Sequence, residues 1–173
     1  LAAGHIDTTF REILRGPAVT IDRSAIRLIT NEPHPFGNFA MLADASDLAA
    51  ASSSVVPLMA SGAPAAVLTT APPTEALSNF LASQGFARHP GLPGMAVEIE
   101  RLASTKLPAG YSFSRVVGMD RANEWGDAFA RGYELPLGVG RAFAAAIGDN
   151  DSADAPIQYF GILKDGRLVC TSI

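Results

Sequence analysis

Residues 158–173 read QYFGILKDGRLVCTSI, and this stretch decides the predicted fold. Two apolar runs, 159–163 and 167–173, flank the tripeptide Lys164-Asp165-Gly166. Asp-Gly between apolar runs is the strongest short-range signal for a β-hairpin, because a primed turn requires positive φ and glycine adopts it without steric cost. The β-branched and aromatic residues of both runs suit a pleated, half-buried surface. The sequence therefore predicts an antiparallel hairpin over these residues.

Strict alternation divides the second run into two faces. One face would carry Val169, Thr171 and Ile173, and the other would carry Leu168, Cys170 and Ser172. Apolar residues on both faces are typical of an interior strand that is covered by layers on both sides. An interior strand needs a neighbour for its free row of N–H and C=O groups. We therefore expect either an earlier strand in that place or a chain that continues beyond residue 173.

The second half of the chain resembles a known family. Residues 110–147, GYSFSRVVGMDRANEWGDAFARGYELPLGVGRAFAAAI, together with YFGILKDGRLVCTSI at 159–173, resemble the opening of a GNAT acyltransferase domain. In that family a first strand leads to two helices and then to a hairpin of the form strand, acidic-Gly, strand ending V-x-T-S. Residues 92–99, LPGMAVEI, resemble the end of the degenerate GNAT-like leading half of two-domain bacterial members.

The resemblance implies an α+β fold with a mixed, mostly antiparallel sheet flanked by helices. It divides the chain into a degenerate GNAT-like domain over residues 1–107 and the first part of a catalytic GNAT domain over 108–173. The polar stretch 102–110, LASTKLPAG, is the predicted boundary, since proline and glycine favour a linker there. The family's Arg/Gln-x-x-Gly-x-Gly/Ala turn is absent from residues 1–173, so we expect it, and the catalytic and cofactor-binding residues, beyond Ile173.

The function that this resemblance implies is transfer of an acetyl group from acetyl-CoA to an amine of a small molecule or peptide. A non-catalytic GNAT-like binding or scaffold module is the alternative. A third possibility is an unrelated α+β fold, and strand order separates it from the others, because the family places residues 111–117 beside residues 159–163.

An aromatic row provides the candidate substrate-binding residues. Trp125, Phe129 and Tyr133 follow i, i+4, i+8 spacing and therefore lie on one helical face. Core packing is the favoured interpretation of such a face. The resemblance places this helix beside the acceptor cleft, with Tyr133, Glu134 and Leu135 lining it at the helix end. Glu134 could hold a substrate amine.

Other chemistry-bearing residues are given structural roles. Gly138 and Gly140 lack the rest of a phosphate-binding fingerprint, and we expect them to give flexibility ahead of a helix start. Cys170 lies mid-strand in an apolar run with no histidine nearby in the sequence, so we expect a buried structural thiol. The histidines, at positions 5, 34 and 89, do not have the spacing of metal ligands, and no metal is predicted.

Composition limits the class of protein. The chain has 173 residues, a net charge of −4 and scattered basic residues, which argues against a nucleic-acid partner. A single cysteine fits the reducing cytoplasm, and no apolar run is long enough to span a membrane. The open edge expected at the second strand of the hairpin favours pairing, and a homodimer is one form of it.

The leading half alternates predicted strands and helices. Strands are predicted over 25–30, 38–43, 65–70 and 95–101, and a helix over 5–15. Ser46 and Asp47 are the candidate caps of a second helix, and Thr74 is expected to cap a third. Pro57 should kink or restart the second helix.

Overall fold

The computed structural model describes residues 3–90, 106–147, 152 and 154–172, and within these the fold is α+β. Mixed and antiparallel sheets are flanked by helices, as the sequence predicts. The elements in chain order are α1 Ala3–Ile13, β1 Val19–Ile21, β2 Ala25–Ile29, β3 Asn38–Leu42, α2 Leu48–Ala60, β4 Ala66–Thr69, α3 Glu75–Ser83, β5 Tyr111–Arg115, α4 Met119–Gly132, α5 Leu137–Ala144, β6 Phe160–Lys164 and β7 Arg167–Ser172.

The strands form two sheets where the sequence suggested one. In the first sheet the order is β1-β2-β3-β4, antiparallel except for the parallel pair β3–β4, which the crossover helix α2 connects. Every residue of β3 is buried. The three-residue strand β1 was not predicted, because it is too short to show a period. The predicted strands at β2, β3 and β4 are confirmed.

Helix α2 is continuous through Pro57, so the helix does not restart there, which was one of the two predicted outcomes. Proline has no N–H to donate to the carbonyl four residues earlier, which is that of Ser53. That carbonyl instead accepts a hydrogen bond of 3.2 Å from Nη1 of Arg27 on β2. A neighbouring strand thus satisfies the acceptor that proline leaves open. Of the two candidate caps of α2, Asp47 accepts an N–H bond in the first turn, and the predicted cap Thr74 does the same in α3.

The second sheet has the order β5-β6-β7 and is antiparallel throughout. The hairpin prediction is confirmed: Asp165 (φ 50°) and Gly166 (φ 78°) both have positive φ between β6 and β7. Strand β5 pairs with β6, so that Phe113 lies opposite Ile162. Helices α4 and α5 stand between these two paired strands in the sequence.

The predicted faces of β7 are wrong, because the strand contains a bulge. Leu168 lies opposite Leu163 and Cys170 opposite Ile162, so Val169 is the extra residue between them. Leu168 is buried and Cys170 is exposed with a free thiol, which also overturns the prediction of a buried cysteine. Within the described residues β7 is an edge strand rather than an interior one. Ile173, assigned to one of these faces, lies outside the described residues.

One apolar core joins the two sheets. The ring of Phe36, just before β3, stacks on Phe143 of α5 with centroids 5.2 Å apart. A Cβ atom on Gly37 would come within 2.7 Å of the Val139 side chain. The buried cluster extends from Phe39 of the first sheet to Trp125 of α4. Packing therefore connects residues on both sides of the predicted boundary, while a division into two domains stays a prediction.

Two sequence predictions lie outside the described residues: the strand at 95–101 and residues 102–105 of the boundary. Among the helices that the structure describes, none is both long enough and apolar enough to cross a membrane.

Candidate functional site

The end of α4 is positioned by backbone contact between α4 and α5. A Cβ atom on Gly140 would lie 2.1 Å from the carbonyl oxygen of Gly126, and one on Gly126 would lie 2.7 Å from the carbonyl oxygen of Gly140. Only glycine permits this approach. Gly140 therefore lies inside α5 as a packing residue, which corrects its predicted role in a flexible loop ahead of the helix.

The aromatic row on α4 leads from the core to the surface. Trp125 is 1% exposed, and its Nε1 donates a 3.1 Å hydrogen bond to the carbonyl oxygen of Phe160. Its ring stacks on Phe129 at 5.2 Å, and Phe129 contacts Tyr133 at 5.0 Å between centroids. Tyr133 is 68% exposed. Of the three rings, only that of Tyr133 has most of its surface available to a ligand. Trp125 belongs to the core.

Helix α4 ends in a Schellman motif that presents Glu134 to solvent. The Leu135 N–H donates to the Ala130 carbonyl at 2.8 Å, and the Glu134 N–H donates to Arg131 at 3.4 Å. This motif requires a left-handed residue, and Glu134 fills that position with φ 55°. A non-glycine residue there is strained by about 1 kcal/mol. Strained residues cluster at functional sites, which favours a role for Glu134 beyond closing the helix.

The five candidate residues thus separate into a buried part and an exposed part. Trp125 is fully buried and Phe129 is half-buried, whereas Tyr133 and Glu134 are exposed and Leu135 is half-buried behind them. We call Tyr133, Glu134 and Leu135 the α4 tip. It can offer an external amine an aromatic face and a carboxylate acceptor.

The start of α5 does not fit a phosphate-bearing cofactor. A Cβ atom on Gly138, in the first turn of the helix, would lie 2.0 Å from Oε1 of Glu32. The Glu32 carboxylate therefore occupies the place where a pyrophosphate would approach, and its negative charge would repel one. This part of the chain supplies no cradle for coenzyme A.

The closing hairpin is held on α4 by Glu124, a residue that the sequence did not single out. Its Oε1 accepts the Leu168 N–H at 2.7 Å, and its Oε2 pairs with Arg121 at 2.5 Å. Arg121 also donates to the Gly166 carbonyl at 3.3 Å. The Leu168 hydrogen bond, and then Arg121, hold the pKa of the Glu124 carboxyl below its ordinary value. No sequence signal marks this residue, because its partner is 44 positions away.

Tyr159 is a second buried group that the sequence did not indicate. Its ring packs edge-on against Trp125 at 5.3 Å, and burial raises the pKa of its hydroxyl to about 12. The hydroxyl is buried and has no hydrogen-bond partner among the described residues. It therefore stays protonated at neutral pH and is enclosed in the core.

Groups that could bind a metal do not converge in the part of the chain that the structure describes, where three or more His, Cys, Asp or Glu side chains never meet. His34 has a structural role, since its Nδ1 accepts the Phe36 N–H at 3.1 Å. His89 lies exposed after α3, and the side chain of His5 is outside the described residues.

Comparison of the chain with protein-family models, with curated proteins and with solved structures gives no match.

Proposed function

We propose that the protein is an N-acetyltransferase of the GNAT type that acetylates an amine of a small molecule or peptide. The observation that carries this proposal is the order of the second sheet. Strand β5 lies beside β6 and antiparallel to it, both helices α4 and α5 separate them in the sequence, and an Asp-Gly hairpin leads on to β7. This strand order agrees with the one that the family resemblance implies, and it supports the proposal.

The α4 tip is the part of this chain that would receive the acceptor. The exposed face of Tyr133 can pack against the acceptor's apolar part, and the Glu134 carboxylate can accept hydrogen bonds from its amine. Acetyl-CoA would supply the acetyl group. In this proposal the described residues bind and orient the amine.

The alternative is a GNAT-like binding or scaffold module without catalysis. The observation in its favour is the joint core, in which Phe36 of the leading half stacks on Phe143. The leading half thereby supports the sheet and helices of the second half, a structural role that does not depend on catalysis. Under this alternative an amine binds at the α4 tip, but no acetyl group is transferred to it.

An assay of coenzyme A release, run on the full-length natural protein with acetyl-CoA and a panel of amines, tests the proposal. We expect release that depends on one class of amine. Tyr133→Ala should lower kcat/KM about tenfold, which corresponds to about 1.4 kcal/mol of lost binding. Phe113→Ala is the matched control, since it removes an aromatic ring that is 63% exposed on β5 and stacks on Phe160. If a folded protein releases coenzyme A with none of the amines, the alternative replaces the proposal.

A further inference from the structure

The last turn of α4 and the closing hairpin form an open cleft of about 550 Å³, whose lining does not include Tyr133, Glu134 or Leu135. Its lining includes Arg131 and Gly132 from the helix and Lys164, Asp165, Arg167 and Val169 from the hairpin. Three of these side chains are cationic and one is anionic, in a chain whose net charge is −4. A cleft lined mainly by one sign of charge concentrates ligands of the opposite sign.

The hairpin holds two of these cations in an unfavourable arrangement. Lys164 and Arg167 are directly opposite each other in the ladder, on either side of the Asp165-Gly166 turn. Like charges in opposite positions destabilise a sheet. The Lys164 Nζ lies over the ring of Tyr111, 5.4 Å from its centroid, which orients the ammonium without neutralising it. Two like charges kept in a position that costs sheet stability break a local rule, and such breaks are found mainly at functional sites.

Among the described residues, the three cations make no salt bridge, although the charge of Arg167 helps to lower the pKa of the Glu124 carboxyl. The ion pairs found there join other groups, and none includes Arg131, Lys164 or Arg167. Glu124, on the neighbouring helix, already accepts hydrogen bonds from Leu168 and Arg121. The cations are therefore available to an external anion.

We propose that this cleft binds a small phosphate monoester. A phosphate dianion has three oxygens that accept hydrogen bonds from several donors at once, and arginine binds it with two parallel N–H groups. Its charge also matches the excess of positive groups in the cleft. Val169, which is 52% exposed, and the buried Leu168 supply an apolar wall beside the cations, which suits an ester with an apolar substituent. This proposal does not depend on acetyl transfer.

Calorimetric titration of the full chain with phenyl phosphate at low salt tests the proposal. We expect saturable binding that is stronger than that of inorganic phosphate, which lacks the apolar group, and absent for benzyl alcohol, which lacks the charge. Arg131→Gln, Lys164→Gln and Arg167→Gln should each weaken binding roughly 2- to 5-fold, the range expected for exposed charge pairs. Arg88→Gln, an exposed arginine outside the cleft, should leave it unchanged. Circular dichroism of each variant confirms that it is folded.

Two further measurements complete the test. The triple Gln variant should lose measurable binding. Salt at 1 M should weaken binding to the natural chain, because it shortens the Debye screening length to about 3 Å. Equal binding of phenyl phosphate to the triple variant would place the ligand elsewhere. Equal binding of benzyl alcohol, or no binding of phenyl phosphate to the natural chain, would also overturn the proposal.

Discussion

The ring of Phe36 lies parallel to that of Phe143, within 6°, and the two centroids are 5.2 Å apart. Phe36 precedes the central strand of the first sheet, and Phe143 belongs to the helix that packs on α4. This pair connects α5, the helix that packs on α4 and so supports the candidate site, to the leading half of the chain. The stability of the two halves should therefore be coupled.

Phe143→Ala should lower the free energy of unfolding by about 3–5 kcal/mol, because Phe143 is 3% exposed and its loss leaves a cavity in the joint core. Urea unfolding followed by Trp125 fluorescence and by circular dichroism should give coincident transitions for both proteins. The control Phe113→Ala, at an exposed ring, should cost less than about 1.5 kcal/mol. Two separate transitions, with only the fluorescence transition shifted, would show that the halves unfold independently.

Gly140→Ala should destabilise the protein by about 1–3 kcal/mol or more, because the new methyl group would meet the Gly126 carbonyl. Gly132→Ala is the matched control, since a Cβ atom there has no atom within 4 Å and alanine favours a helix. Thermal unfolding should show a lower Tm for the first variant and an equal or higher Tm for the second. Equal Tm values for both variants would contradict the close approach of α4 and α5.

Glu134→Gly should raise stability by up to about 1 kcal/mol, since glycine adopts the left-handed conformation at the helix end without strain. The same change should weaken acceptor binding if the carboxylate holds the amine. Glu134→Gln separates the two effects, because it keeps the strain and removes the charge. We expect unchanged Tm and a higher KM for Gln, measured in the acetyl-transfer assay. An unchanged KM in both variants would show that Glu134 does not bind the acceptor amine.

The stability of the protein should fall in acid partly through Glu124. Its pKa is lowered in the folded state from the ordinary value of 4.5, chiefly by the Leu168 N–H, so the folded protein binds a proton less readily than the unfolded chain. The stabilisation is present above the unfolded value and is lost as the pH falls through the folded one. Glu124→Gln should therefore be less stable than the natural chain at pH 7, with a difference that shrinks below about pH 4. A difference that is constant with pH would contradict this role.

The hairpin could be predicted from the sequence, because Asp165-Gly166 fixes a turn through local backbone chemistry alone. The bulge at Val169 could not be predicted, because it depends on how β7 pairs with β6 and on the hydrogen bond from the Leu168 N–H to Glu124. The period-two pattern therefore placed Cys170 on the wrong face. Local signals define a turn, whereas the register beyond it depends on tertiary partners.

The candidate site shows the same division. Spacing along one helix was enough to align Trp125, Phe129 and Tyr133, but not to show that Trp125 is buried and Tyr133 exposed. The glycines of α5 were interpreted as loop residues because their partners, Gly126 and Glu32, are distant in the sequence. The Glu32 carboxylate beside Gly138 explains why the two glycines at the start of α5 do not form a phosphate site.

Transfer of an isotopically labelled acetyl group tests the central claim most directly. The full-length natural protein is incubated with labelled acetyl-CoA and each amine, and the products are identified by mass spectrometry. We predict label on the nitrogen of one class of amine, strongly reduced by Tyr133→Ala and retained in Phe113→Ala. Label recovered only as free acetate, or an acetylated amine formed equally by the Tyr133→Ala variant, would contradict the account.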